Sequence, residues 1–323
     1  MEDMTQKRDR NANLDVFRCL AMFLIVLWHS HRHGMSFGLS SVGDWVVWPL
    51  LCWHVDAFLA LSGWFGMKFS MRKFLNLWSV VAFYSLVSIV VGRVIMGKST
   101  RLMLDGGWFG NTYLCLLLLV PFINAALENL VSKGKRIAWL SWSGFAAVVI
   151  VNWISRNHYL GILAQDVVSC SLAQMIFIYA TVRLLRLTGL SEYVRIWHIC
   201  CAVVFFILGI LFLGDNWRTD YMAPYVIAMA IAMLLLFEKF IHVPQWLGRV
   251  CVWAAPSMFA IYLIHDVSSF GKLFYQVPQE WLYDRGVNVV LTIFISAAVC
   301  FVICLSVDLI RRGVIFFLKG RIR

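Results

Sequence analysis

Charge is what this chain lacks most. Only 14% of its 323 residues are Asp, Glu, Lys or Arg, where a soluble domain carries about 25%. With 61% of residues hydrophobic, there is too little polar surface to wrap a water-soluble core, and a polytopic membrane protein is the class left. Proline is scarce, at six residues. Pro/Gly-rich linkers, low-complexity tracts and internal repeats are all missing, which excludes a string of separate modules and leaves one membrane domain. Cysteine is present but unpatterned. The nine Cys, an odd number, fall within or beside apolar segments, which argues for packing residues against a disulfide framework or a metal site.

What is present is a succession of apolar stretches long enough to cross about 30 Å of hydrocarbon. They lie near 14–30, 45–65, 75–95, 113–127, 137–154, 167–187, 196–213, 221–240, 250–267 and 287–310. The fourth is short and can begin at Trp108. This predicts an all-α bundle of about ten transmembrane helices over 14–312, with a cytoplasmic tail at 1–13 and a basic cytoplasmic tail at 313–323. Basic residues stay on the cytoplasmic side, and most of the 28 Lys and Arg fall there if both termini are inside. Lys7, Arg8 and Arg10, then Lys68, Arg72 and Lys73, then Lys133, Lys135 and Arg136 form such clusters. The net charge of +11 then reflects topology and contact with the lipid bilayer, not nucleic acid, because the basic clusters flank spans. Trp28 to His33 stand where a signal-peptide cleavage site needs small residues, so the first span is expected to be retained. Pro121, Pro224 and Pro256 are candidate kinks.

One motif is a decoy. Gly92-Arg93-Val94-Ile95-Met96-Gly97-Lys98-Ser99 matches G-x-x-x-x-G-K-S, but a phosphate cradle needs a strand feeding the loop and a helix leaving it. Here a membrane helix enters.

Inside the first span, Arg18 and His29 are eleven positions apart. At ~100° and ~1.5 Å per residue they share one face, ~16 Å apart along the axis. An arginine in hydrocarbon costs about 2.5 kcal/mol or more on insertion scales, so it usually faces a cavity, a partner or a substrate. Asp15, at i, i+3 from Arg18, is placed to orient it. Spacing alone equally fits an Arg18 that snorkels to the headgroups and an Asp15 that caps the helix. His29 and His33 share a face, but no third ligand is near in sequence, so no metal is expected.

Four patches, in order, resemble the membrane acyltransferase-3 family. Leu14-Asp15-Val16-Phe17-Arg18 leading to Trp28-His29 is similar to its first helix, which carries Arg or Lys, ten residues, then His. Val55-Asp56-Ala57-Phe58-Leu59-Ala60-Leu61-Ser62-Gly63-Trp64-Phe65 resembles its "vDlFFvlSGf" stretch. Trp108-Phe109, then Tyr113 through Pro121-Phe122-Ile123-Asn124, resembles a later helix, and Ile261-Tyr262-Leu263-Ile264-His265 its "iYLiH". Two departures stand out: Asn76 replaces an expected basic residue after Arg72 and Lys73, and the Phe pair is Phe58-Leu59.

The resemblance implies an integral membrane enzyme that moves an acyl group, usually acetyl from acetyl-CoA, onto a sugar or other envelope acceptor. No bound cofactor is implied, only acyl-CoA as co-substrate. His29 is then the catalytic residue, as a base or a transient acyl acceptor. Arg18, whose planar fork suits phosphate, is a donor contact together with Arg72 and Lys73. Asp56, near the middle of the second span beside His54, has a substrate- or histidine-orienting role or a structural pairing. Trp108 and Tyr113 line an acceptor site or belong to an interfacial belt, and His265 is an orienting or structural histidine. The acceptor is expected to be a surface glycan or exopolysaccharide, or its lipid-linked precursor, in a bacterial-type cytoplasmic membrane. A homo-oligomer is compatible with the composition. The competing class is a transporter or flippase, against which stands the lack of symmetric halves.

Overall fold

A computed structural model of the chain describes residues 11–34, 49–95, 97, 106–155, 171–212, 221–268 and 270–321. They are helical almost throughout, with no strand among the described residues. In chain order the helices are α1 (Ala12–Arg32), α2 (His54–Phe65), α3 (Met71–Val90), α4 (Gly107–Ser132), α5 (Lys135–Ser155), α6 (Leu172–Leu187), α7 (Ile196–Phe212) and α8 (Pro224–Lys239). Then follow α9 (Gln245–Ala254), α10 (Met258–Tyr262), α11 (Leu273–Tyr283) and α12 (Val289–Arg321). Among the described residues five runs are long and apolar enough to cross a membrane: Ala12–Arg32, Met71–Val94, Gly107–Ser132, Gln245–Val267 and Val289–Leu318. Large apolar side chains cover the outside. Val94, Phe122, Phe212 and Phe316 are each 75% exposed or more, a surface suited to lipid and not to water.

The first helix is the hub. Asn11 caps it by accepting from the Asn13 and Leu14 amides, and Asp15 adds negative charge to the first turn, where the helix dipole favours it. It is apolar enough to be packed on several sides, and α2, α8, α9, α10 and α12 all contact it. Ser62-Gly63 on α2 shows why small residues recur there. A Cβ on Gly63 would stand 2.4 Å from the Tyr179 carbonyl oxygen, so only glycine lets α2 and α6 approach this closely. Asn124 on α4 donates to the Met67 carbonyl at 2.9 Å and accepts from the Tyr179 hydroxyl at 2.9 Å. That links α4, α6 and the turn after α2. Deeper still, the fully buried Asp308 of α12 accepts from Arg311 at 2.7 Å and from Tyr84 of α3 at 2.8 Å.

Several expectations are revised. The second span was expected from 45 to 65, but α2 has only 12 residues, about 18 Å at the helical rise. It starts at His54 behind the 3-10 turn Pro49–Leu51. His54 and Asp56 therefore occupy a first turn instead of a mid-span position. Between the ninth and tenth expected spans, where no helix was expected, lies α11, whose Tyr275, Gln279 and Leu282 recur at i, i+4, i+7 and are buried. The basic segment after 312 continues α12 to Arg321. Of the three prolines, Pro256 interrupts the helix, in the 3-10 step Ala255–Ser257 between α9 and α10. Pro224 opens α8, where its missing amide costs nothing, and Pro121 sits inside an unbroken α4. Val91–Ile95 continues α3 as a π-helical turn, so a helix does enter the Gly92 motif. Met96, Lys98 and Ser99 of that motif lie outside the described residues, as do 1–10 of the N-terminal tail, 45–48 of the second expected span, 167–170 of the sixth and 322–323 of the C-terminal tail.

Candidate active site

Arg18 and His29 line the same cavity, of about 560 Å³, within the volume range of small-molecule sites. The Arg18 guanidinium donates to Asp15 Oδ1 at 2.7 Å; the Arg18 side chain is 28% exposed and that of Asp15 is 5% exposed. On its other side it lies 5.9 Å from the Phe65 ring centre. An ion pair one turn apart fixes where the guanidinium points while leaving its remaining donors to the cavity.

At the far end, His29 Nδ1 is 2.8 Å from His265 Nε2, and His265 Nδ1 is 2.6 Å from the Ile261 carbonyl oxygen. The carbonyl can only accept, so His265 Nδ1 carries a proton and, in the neutral ring, Nε2 accepts. His29 Nδ1 must then donate. That leaves the lone pair of His29 on Nε2, in a ring that lines the cavity. Asp266 Oδ1 stands 3.7 Å from His29 Nδ1, placed to offset the positive charge that forms when Nε2 takes a proton. His265 and Asp266 are consecutive residues of the π-helical turn Leu263–Val267.

Aromatic rings make the wall. Trp108 stacks on Tyr221 with centroids 6.4 Å apart, Tyr113 on Phe109 at 5.7 Å, and Tyr262 meets Phe109 edge-on at 5.6 Å. Tyr113 is held by Ser62 Oγ at 3.0 Å. The described wall thus contains Arg18, His29, Trp108 and Tyr113 of the residues singled out in the sequence.

Others sit elsewhere. Asp56 is fully buried and accepts from Gln174 Nε2 at 2.8 Å, tying α2 to α6 off the cavity. Arg72 and Lys73 are exposed on the first turn of α3, where the Lys73 ammonium donates to the Lys68 carbonyl at 3.3 Å. His265 stands behind His29, outside the wall. Sequence reasoning missed Tyr221 on the cavity wall, Asp266 beside His29, and Gln174 as the partner of Asp56. Asp266 follows His265 directly and could have been noticed; Tyr221 and Gln174 carry no signal of their own.

His29, His33 and Asp266 bring donor atoms within 4.8 Å of one another, supplying the carboxylate that was not near in sequence. Lys272 faces both histidines, and an ammonium there opposes a second cation. Burial and Lys272 also hold His33 below its ordinary protonation range, with Asp266 pulling the other way.

A family model described as the acyltransferase domain matches residues 11–310, nearly the whole chain. The chain belongs to the membrane acyltransferase-3 family. The match takes in α1 and the helical run through His265, so both members of the histidine pair lie inside the acyltransferase domain. No curated protein and no solved structure matches this acyltransferase.

Proposed function

We propose that this acyltransferase moves acetyl from cytosolic acetyl-CoA to a hydroxyl of a cell-surface glycan or its lipid-linked precursor. In this reading the apolar runs embed the chain in a bacterial-type cytoplasmic membrane with both termini in the cytoplasm, the short α2 reaching only part of the way across. One observation carries it: a single cavity is lined by a guanidinium toward the N-terminal end of α1 and by an imidazole about 16 Å further along that helix. A CoA phosphate meets Arg18, and the extended pantetheine arm delivers the thioester to His29.

His29 Nε2 then takes the acceptor hydroxyl proton as the oxygen attacks the thioester carbon. The tetrahedral intermediate collapses, the C–S bond breaks, and the proton passes from His29 to the leaving thiolate. The same oriented lone pair also serves the second route, in which His29 Nε2 takes the acyl group first and then passes it to the hydroxyl. Trp108, Tyr113 and Tyr221 offer ring faces of the kind that pack against sugars.

The test uses membranes containing the full chain and radiolabelled acetyl-CoA. Label should enter a glycan fraction, and His29→Ala should abolish it with protein level unchanged. Absence of labelled glycan together with uptake of a glycan or small anionic solute would assign the chain to transport instead.

A further inference from the structure

Arg183 is a cation beside the inner end of the cavity that the mechanism above leaves unused. α2 runs from His54, whose ring is 6.3 Å from that of Trp28, to Phe65, whose ring centre is 5.9 Å from the Arg18 guanidinium. The turn that ends α2 therefore lies at the inner end. Gly66 makes that turn in the left-handed region, at φ 64°, between Phe65 and Met67 of the cavity wall. The Arg183 guanidinium of α6 rests on it, because a Cβ at Gly66 would stand 2.4 Å from Arg183 Nη1. Any side chain there would push the guanidinium off the turn. Asn124 of α4 holds the Met67 carbonyl and is itself held by Tyr179 of α6; one turn further along each helix, Glu128 meets Arg183.

That meeting is loose. Arg183 Nη2 donates to Glu128 Oε1 at 3.3 Å, with the Glu128 side chain 58% exposed and that of Arg183 18% exposed, a surface pairing that contributes little. Arg183 Nε is enclosed, whereas Nη1 is not and has no hydrogen-bond partner among the described residues. Arg186, one turn on, is committed elsewhere: it donates to the Trp64 carbonyl at 2.6 Å and lies over the Trp64 ring.

We propose that Arg183 binds the ribose 3′-phosphate of the CoA donor and makes the enzyme select CoA over its dephosphorylated form. The inference rests on the acetyl-transfer reading above. In an extended acyl-CoA the thioester, the diphosphate and the ribose 3′-phosphate follow one another along the molecule. His29, Arg18 and the Gly66 turn beneath Arg183 follow one another in the same order, from the outer end of the cavity to the inner. Arg18 then meets the diphosphate, and the 3′-phosphate falls to Arg183. A guanidinium offers a planar fork of N–H donors that matches phosphate oxygens, and Nη1 is the open one here. The incoming phosphate takes over Nη2 as well, releasing the exposed Glu128 carboxylate to water at little cost. Lys68, exposed two residues past Gly66, adds positive potential on this side.

The test uses the full chain in lipid nanodiscs and two donors, acetyl-CoA and acetyl-3′-dephospho-CoA, with Kd read by titration calorimetry. The wild type should bind acetyl-CoA about 10-fold more tightly than the dephospho donor, the worth of one partly exposed charge-assisted contact. Arg183→Gln should weaken acetyl-CoA by about that factor of 10 and leave the dephospho donor within about twofold. Arg183→Lys, which keeps the charge but not the fork, should retain part of the preference. Arg18→Gln should weaken both donors alike, since both carry the diphosphate. Glu128→Gln should tighten acetyl-CoA and leave the dephospho donor unchanged. Because both donors are measured on one preparation, loss of folded protein does not mimic loss of the preference. A wild type that binds the two donors equally, or an Arg183→Gln that still prefers acetyl-CoA as strongly as the wild type, overturns the role of Arg183 and leaves acetyl transfer standing. A wild type that binds neither donor overturns both.

Discussion

Arg18→Gln is the perturbation whose outcome separates donor binding from simple ion pairing. In the wild type the Asp15 carboxylate is 5% exposed and its guanidinium partner 28% exposed. Breaking a fully buried pair by removing one member costs about 3–5 kcal/mol, and partial exposure of Arg18 brings the expectation down to about 2–3 kcal/mol. For a chain of this size that lowers the melting temperature by about 3–5 °C. The guanidinium also loses its hydrogen bonds to a donor phosphate, about 1.5–3 kcal/mol, which raises the donor KM about 10- to 150-fold. The double variant Asp15→Asn/Arg18→Gln removes both charges and restores most of the stability, because no ion is left stranded. Its donor KM should stay as high as in the single variant. The measurements are thermal unfolding in detergent and acetyl-CoA saturation kinetics on the same preparations. A double variant with wild-type donor KM would refute the reasoning, because Arg18 would then serve only to neutralise Asp15.

His265→Leu removes the acceptor for His29 Nδ1 and should lower kcat about 10- to 100-fold with donor KM unchanged; His265→Gln should regain part of it, and equal kcat in all three proteins rules out orientation by His265. Gly63→Val forces a side chain against the Tyr179 carbonyl, where a Cβ already stands 2.4 Å away. It should cost about 1–3 kcal/mol, read as a lower melting temperature. Asp308→Ala leaves Arg311 and Tyr84 without their shared acceptor and should cost about 3–5 kcal/mol, most of it recovered by Asp308→Ala/Arg311→Met.

What the sequence made legible follows from periodicity and repulsion from hydrocarbon. The Arg18 to His29 stripe was readable because a helix repeats faithfully over three turns and polar groups stand out against apolar neighbours. Asp15 was placed correctly against Arg18 for the same reason, since i, i+3 geometry is local. Partners from distant segments were not readable. Nothing near Asp56 points to Gln174, 118 residues away, and nothing near His29 points to Asp266. The amphipathic α11 escaped a search for long apolar runs because one buried side and one polar side average to a loop-like composition. The early start of the second span was overestimated because hydropathy does not register where a helix begins.

The hydrogen bond between His29 and His265 joins positions 236 residues apart. Ribosomes add about 5–20 residues per second, so the two rings meet only about 10–50 s after the first helix has been made. Until then the imidazole on that helix has no fixed tautomer and no closed chamber around it. A nascent or prematurely terminated chain is thereby silent towards the cell's activated acyl groups, and reactivity arrives as a late step of assembly.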